Sequence, residues 1–161
     1  MTVPLNPAPS QVLIYHASTG KLVPVPRIQR SLEEWKRVLP PLQFHIARLG
    51  DTEPPFSGEY YSFHEPGLYR CACCGTDLFS SEAKFDSGTG WPSFSEPVHG
   101  NNITVKEDLR FGMVRTEVLC ARCGAHLGHV FDDGPPPRGT RYCMNGASLS
   151  FLPGKPEGNI P

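Results

Sequence analysis

Long apolar runs are missing from this 161-residue chain. The longest near its start is only Val12, Leu13, Ile14 and Tyr15, short of the roughly 7–15 residues of a signal-peptide core or the roughly 20 of a membrane span. Export and insertion are therefore not expected, and the reading is a cytoplasmic protein without a membrane partner. Charge of one sign is also missing: 15 basic residues face 16 acidic ones, for a net charge of −1. With no basic stripe, nucleic acid and acidic membrane surfaces are poor partners, and a small molecule or a neutral peptide surface fits better. Proline and glycine together make 34 of 161 residues, 21%, below the roughly 25–30% of low-complexity disorder. The hydrophobic 39% plus glycine's 10% gives 49%, within the globular range of about 45–50%. One folded, turn-rich domain is the expectation.

The chain divides into three parts. Residues 1–30 carry Pro4, Pro7, Pro9, Pro24 and Pro26 around two short apolar patches. Proline removes a donor and fixes φ, so this part reads as an extended arm, with room for one hairpin pivoting at Ser18, Thr19 and Gly20. Ser31 and Glu34 form a capping box, and Leu32, Trp35, Val38 and Leu39 follow at helical spacing until Pro40 and Pro41. A second short helix is expected over 42–49, closed by Gly50. From about residue 55 short β-like runs alternate with turn residues, at 60–63, 68–71, 103–106, 111–119, 127–131, 142–144 and 147–152, with a hairpin turn at 107–110. The pattern predicts a mainly β domain over 31–152, built of antiparallel sheet with two small helices packed at one end. Residues 153–161 read as a loosely ordered tail.

Six cysteines remain to be explained, and in a reducing compartment they point to metal or catalysis rather than to disulfides. Cys71/Cys74 and Cys120/Cys123 form two Cys-x-x-Cys units, each followed by glycine, Gly75 and Gly124. Four such thiolates make a closed, tetrahedral, structural zinc site with no position open to substrate. The 45 residues between Cys74 and Cys120 exceed the roughly 15–20 of a small zinc ribbon, so the site would clip together two distant hairpins. A redox pair, or cysteines with no shared partner, are the competing readings.

Cys73 and Cys143 are left over. If 141–145 is a strand, alternation puts Arg141, Cys143 and Asn145 on one face. Arg141 would favour the thiolate and lower its pKa, and Asn145 can donate to a substrate oxygen. His126, His129, Asp132 and Asp133 supply titratable groups upstream, and the segment 87–94 presents an aromatic wall around Trp91. The bland alternatives are a buried structural Cys143, a packing role for Trp91, and hydrogen-bonded structural histidines. The residues alone lead to a thiol-dependent enzyme with structural zinc.

Several blocks carry a closer likeness. They are Tyr69-x-Cys71-x-x-Cys74-Gly75-x-x-Leu78-Phe79, the run from Lys84 to Phe94 containing Gly88-Thr89-Gly90-Trp91-Pro92, Arg115-Thr116-Glu117-Val118, the run from His126 to Pro135, and Arg141-Tyr142-Cys143-x-Asn145. From about residue 31 to 152 the chain resembles the peptide methionine-R-sulfoxide reductases, the MsrB family. The resemblance implies two antiparallel sheets in a β-tent, with the zinc at Cys71, Cys74, Cys120 and Cys123 away from the active site. It makes Cys143 the nucleophile that attacks the sulfoxide and becomes a sulfenic acid. Trp91 would pack on the substrate methyl group, with Phe94 also at the substrate. His126, His129 and Asn145 would bind or polarise the oxygen, and Arg141 and Asp133 would support the thiolate and its network. Oxidised proteins or peptides are the implied substrates, thioredoxin or another thiol the implied reductant, and the chain is expected to act as a monomer.

Three departures from the family pattern stand out. Many members carry a resolving cysteine where this chain has Thr89, Gly146 stands where serine is usual, and the proline-rich arm has no assigned role. Regeneration then falls either to Cys73 after a loop movement or, as favoured here, to an external thiol acting directly on Cys143. A zinc-stabilised binding module on the same scaffold is the rival reading, although it has no need of Trp91, His129, Arg141, Cys143 and Asn145 together.

Overall fold

A computed structural model of the chain describes residues 10–154. The described part opens with the hairpin of β1 (Gln11–His16) and β2 (Lys21–Pro26), followed by α1 (Leu32–Val38) and α2 (Pro41–Ala47). Next come β3 (Gly67–Cys71), β4 (Asp77–Ser80), β5 (Lys84–Phe85) and β6 (Ser93–Phe94). The last strands are β7 (Ile103–Asp108), β8 (Arg115–Cys120), β9 (His126–Phe131), β10 (Arg141–Met144) and β11 (Leu149–Pro153). A six-stranded sheet runs in the order β5-β6-β10-β9-β8-β7, a three-stranded one in the order β11-β3-β4, and β1 and β2 form their own ribbon. The strand pairs are antiparallel. The expected mainly β architecture with short N-terminal helices is the one found.

The hairpin expected around Ser18, Thr19 and Gly20 forms, and it is docked. Ile14 is buried, and the Tyr15 N–H donates to Asn102 Oδ1 at 2.8 Å. Asn102 Nδ2 returns a bond to Tyr15 O and gives another to Asp77 O, at 2.9 and 2.7 Å. Pro4, Pro7 and Pro9, and the tail beyond residue 154, lie outside the described residues. The capping box is present: the Ser31 N–H donates to Glu34 Oε1 at 2.8 Å, and the Glu34 N–H to Ser31 Oγ at 3.2 Å. It starts a helix whose one fully buried side chain, Trp35, lies under the guanidinium groups of Arg30 and Arg48 at 4.9 and 4.4 Å. The second helix ends at Ala47 rather than at residue 49, because Arg48 is already its C-cap.

Two expected strands are corrected. Residues 60–63 form a turn; their apolar character serves an aromatic cluster instead, with Tyr60 edge-on to Tyr69 at 5.5 Å and Phe63 edge-on to Phe151 at 4.7 Å. The strand expected from 111 starts only at Arg115, because Phe111 stands at φ 60 and Gly112 at φ 70, left-handed backbone that no ladder accepts. The two-residue strands β5 and β6 carry too little pattern to be read in advance, and in β4 the run Asp77, Leu78 and Phe79 is buried without alternation.

Between the two larger sheets lies the core of Tyr69, Leu78, Phe79, Phe94, Val118, Leu127 and Met144, all with zero exposure. Phe79 and Phe94 stack at 4.5 Å and 18°. Alternation on β6 explains why Phe94 is here: it is paired with Tyr142, one step from Cys143, and so points away from the face Cys143 uses. Truncating Phe94 to Ala should therefore act on stability. A loss of about 3–5 kcal/mol is expected in urea unfolding, and a loss below about 1 kcal/mol would show that the ring is not part of the packed centre.

Candidate active site

β10 is the middle of the site because its neighbours on both sides carry chemistry. Its register sets Cys143 opposite His129 on β9 and opposite Ser93 on β6. The approach to β9 is close enough that a Cβ on Gly128 would collide with the carbonyl oxygen of Cys143, so glycine is required there. A cavity of about 200 Å³ opens over Cys143, lined among others by Trp91, Arg115, His129, Arg141 and Asn145. Arg141, Cys143 and Asn145 thus share one face, as alternation predicts, and Trp91 and His129 join them. Thr89, noted in the sequence as a departure, also lines the wall, as do Thr52, Arg115 and Phe131, to which the sequence reading gave no role. A larger groove of about 500 Å³ beside the β1–β2 turn is lined by Tyr15, Glu82 and Glu96 and contains no thiol or imidazole.

Burial dominates the thiol. It pushes the Cys143 pKa above the ordinary thiol value, and the Arg141 charge and the Thr89 hydroxyl offset this only in part. The expected net lowering by Arg141 is therefore corrected: Arg141 pulls in the predicted direction but desolvation is the larger effect. Part of the guanidinium is committed elsewhere. Its Nε and Nη2 reach Asp133 at 2.9 and 3.1 Å, and its plane lies 4.5 Å over Phe131. Behind Thr89 a line of hydroxyls continues, with Thr89 Oγ1 2.8 Å from Ser87 Oγ and Ser93 Oγ donating to Ser87 Oγ at 2.8 Å. Thr89 is thus anchored by this line in the wall of the Cys143 cavity.

The two histidines have different stations. His129 Nε2 lies 2.7 Å from Asp108 Oδ2. That buried carboxylate is held far below the usual range by Arg110, by His129 and by the Arg110 N–H, so it stays ionised and His129 carries its proton on Nε2. Nδ1 is then the nitrogen left for the Cys143 cavity. His126 does not line that cavity. Its Nδ1 is 2.6 Å from Glu117 Oε2, its ring is edge-on to His129 at 5.6 Å, and its Nε2 is buried without a partner. Burial lowers its pKa, against the pull of Glu117. The neutral imidazole stands behind His129, bordering a separate cavity with Arg48 and Lys106. Asp108 and Glu117 were also missed; a lone Glu among Thr116, Val118 and Leu119 was the available signal, since a strand that buries its neighbours must give such a group a partner.

Asn145 and Trp91 are tied by long-range bonds. Asn145 Oδ1 accepts from the Glu53 N–H at 3.0 Å, which settles the amide orientation, and Nδ2 donates to Leu127 O at 3.3 Å. Trp91 Nε1 donates to the Glu53 carbonyl at 2.9 Å. Asp133 is mostly exposed beside Arg141, and Phe94 sits in the core, outside the cavity lining.

The four paired cysteines meet outside the lining of this pocket. Their sulfurs lie within 4.8 Å of one another, in a group that can hold a metal ion. Two matching knuckles bring them there. In each, the glycine at φ 79 or 78 lets its N–H reach the first cysteine's carbonyl at 2.8 Å. Arg48 Nη1 approaches Cys123 Sγ at 3.5 Å. Cys73 belongs to this cluster, interacting with Cys71, Cys123 and Arg48, and does not line the Cys143 cavity.

Residues 39–153 match the SelR domain. The chain is 55% identical over 127 residues to a protein of Azotobacter vinelandii called peptide methionine sulfoxide reductase MsrB, covering 79% of this chain and 96% of the relative. A Pseudomonas paraeruginosa protein of the same name is also 55% identical over 127 residues, with the same coverage. A third, from Methanosarcina barkeri, is 55% identical over 124 residues, covering 77% of this chain and 87% of the relative.

The raised thiol pKa has a direct consequence. Thiolate accumulates only as pH rises through that value, so iodoacetamide alkylation of Cys143, followed by peptide mapping, should still be climbing above the ordinary thiol pKa of about 8.5. Thr89→Ala removes one group that favours the thiolate and should slow the reaction further at fixed pH; a plateau below neutral pH in the unsubstituted protein would contradict this.

Proposed function

The chain belongs to the MsrB family of peptide methionine sulfoxide reductases and is an enzyme that reduces methionine-R-sulfoxide to methionine; from that premise we propose that Cys143 is the residue that takes the oxygen. The carrying observation is the convergence on one small cavity of a thiol, an imidazole of fixed tautomer, an amide of fixed orientation and an indole wall. The sulfoxide sulfur is reduced by two electrons and Cys143 is oxidised by two, its thiol becoming a sulfenic acid as methionine leaves. Asn145, through its second amide hydrogen, faces the developing charge on the oxygen, and His129, its ring held by Asp108, is the imidazole beside it for proton transfer. His126 backs the His129 ring. Arg141, oriented by Asp133, steadies the thiolate as substrate binds, and Trp91 covers the methyl group. Phe94 contributes packing beneath β10.

Protein-bound methionine sulfoxide is the substrate class proposed, and an external thiol, thioredoxin or a small dithiol, is the proposed reductant. It attacks the sulfenic sulfur, releasing water and leaving a mixed disulfide that a second thiol resolves. The absence of Cys73 from the cavity lining and the presence there of Thr89 support this route over an internal disulfide. The cytoplasm is the proposed location, supported by a cysteine set suited to a metal site and a reactive thiol rather than to disulfides.

Zinc is the proposed metal for Cys71, Cys74, Cys120 and Cys123. Zinc–sulfur bonds of about 2.3 Å in a tetrahedron put sulfurs about 3.8 Å apart, and the Cys71–Cys123 and Cys74–Cys120 separations are 3.6 Å. Four thiolates leave the ion no open position, so its contribution is to hold the fold.

In an assay coupled to a thiol reductant, Cys143→Ser should abolish reduction of a blocked methionine-R-sulfoxide while one zinc per chain is retained. Turnover in that variant would reject the nucleophile, and a cooperatively folded protein without bound metal would reject the structural zinc.

A further inference from the structure

Glu53 lies in the segment between α2 and β3, more than 90 positions before the turn that follows Cys143, and is buried with 3% exposure. Its carboxylate is met by main chain: the Gly146 N–H donates to Oε2 and the Ala147 N–H to Oε1, each at 2.9 Å. A buried carboxylate is costly unless its oxygens are satisfied, and here the two donors open the short helical turn, residues 146–148, that begins three positions after Cys143. Gly146 fits the same contact, since a Cβ there would stand 3.3 Å from Oε2. Glu53's own backbone meanwhile holds the two groups that close the cavity over Cys143, the Asn145 amide through its N–H and the Trp91 indole through its carbonyl. Four bonds from one residue thus join the nucleophile's strand end, the oxygen-facing amide and the indole wall.

We propose that Glu53 is a positioning residue for sulfoxide reduction: its carboxylate locks residue 53 onto the turn after Cys143, and its main chain thereby sets the Trp91 ring and the Asn145 amide against the substrate. The inference rests on the reading of the Cys143 cavity as the sulfoxide site. Glutamine in its place is nearly isosteric but turns one acceptor into a donor facing an N–H, so one of the two main-chain bonds must break. The effect should fall on the groups that touch the sulfoxide rather than on the thiol itself.

The test compares Glu53→Gln and Glu53→Asp with the unsubstituted zinc-loaded protein in three measurements. They are kcat/KM for N-acetyl-methionine-R-sulfoxide, the preference for S-methyl over S-ethyl sulfoxide, and iodoacetamide alkylation of Cys143. For Glu53→Gln, kcat/KM should fall by about tenfold to a hundredfold, the scale of one hydrogen bond to a charged group. The methyl preference should shrink and alkylation should not slow. Glu53→Asp keeps the charge one methylene further back and should recover part of the loss; if the glutamine variant does not fold, the same split should be visible in the aspartate variant. Unchanged kcat/KM and unchanged methyl preference would overturn the proposal. So would a joint fall of reduction, alkylation and bound zinc, including failure of both variants to fold, since Glu53 would then serve the fold alone. Turnover by Cys143→Ser would instead strike the underlying reading of the nucleophile.

Discussion

Two hairpin turns tied at four sulfurs are the constraint on which the rest of the molecule depends. The turn between β3 and β4 carries Cys74 and begins at Cys71, and the turn between β8 and β9 carries Cys123 and begins at Cys120. One hairpin belongs to the three-stranded sheet and the other to the six-stranded sheet. Their meeting at the sulfur cluster brings the two sheets together beside the core of Tyr69, Phe79, Phe94 and Leu127. The long stretch between the cysteine pairs is a small obstacle, because loop-closure entropy grows only with the logarithm of length, about 0.6 kcal/mol per doubling. β9 leaves the clip directly and pairs with β10, so the register that sets His129 beside Cys143 is inherited from the same knot.

The pocket then separates two requirements that conflict at a free thiol. Exclusion of water makes every hydrogen bond to a sulfoxide oxygen more effective, yet it disfavours the thiolate. Burial wins at Cys143. Arg141 and Thr89 line the same cavity and favour the anion, and Asp108, kept ionised by Arg110, fixes the His129 ring.

Much of this was legible in the sequence where a local rule applied. The Ser31/Glu34 cap, the glycine-closed cysteine knuckles and the shared face of Arg141, Cys143 and Asn145 depend on neighbours within a few residues, and all three are found. What escaped depends on distance along the chain. Glu53 meets Asn145 and Gly146 across more than 90 residues, and no spacing rule marks it. Glu117 pairs in the ladder with His129 but bonds His126, because the β8–β9 register shifts after Val118; a bulge of that kind cannot be read from alternation. Phe94 belongs to a recognisable motif, yet its one-residue offset from Ser93 sends it to the core rather than to the cavity. Arg141 shows the limit of reading charge from neighbours: its direction was right, but desolvation was invisible until the strand was buried.

The proposed regeneration by an external thiol draws on the same geometry. Thr89, not a thiol, lines the cavity beside Cys143, and Cys73 does not line it. The central claim is that Cys143 alone takes the oxygen and waits for an outside thiol. Its most direct test is mass spectrometry of the zinc-loaded protein after one equivalent of methionine-R-sulfoxide, without reductant and with dimedone as a sulfenic-acid trap. The account predicts a single dimedone adduct on Cys143, with Cys73 and the four clip cysteines unmodified; a Cys143–Cys73 disulfide, or oxidation first found at another thiol, would contradict it.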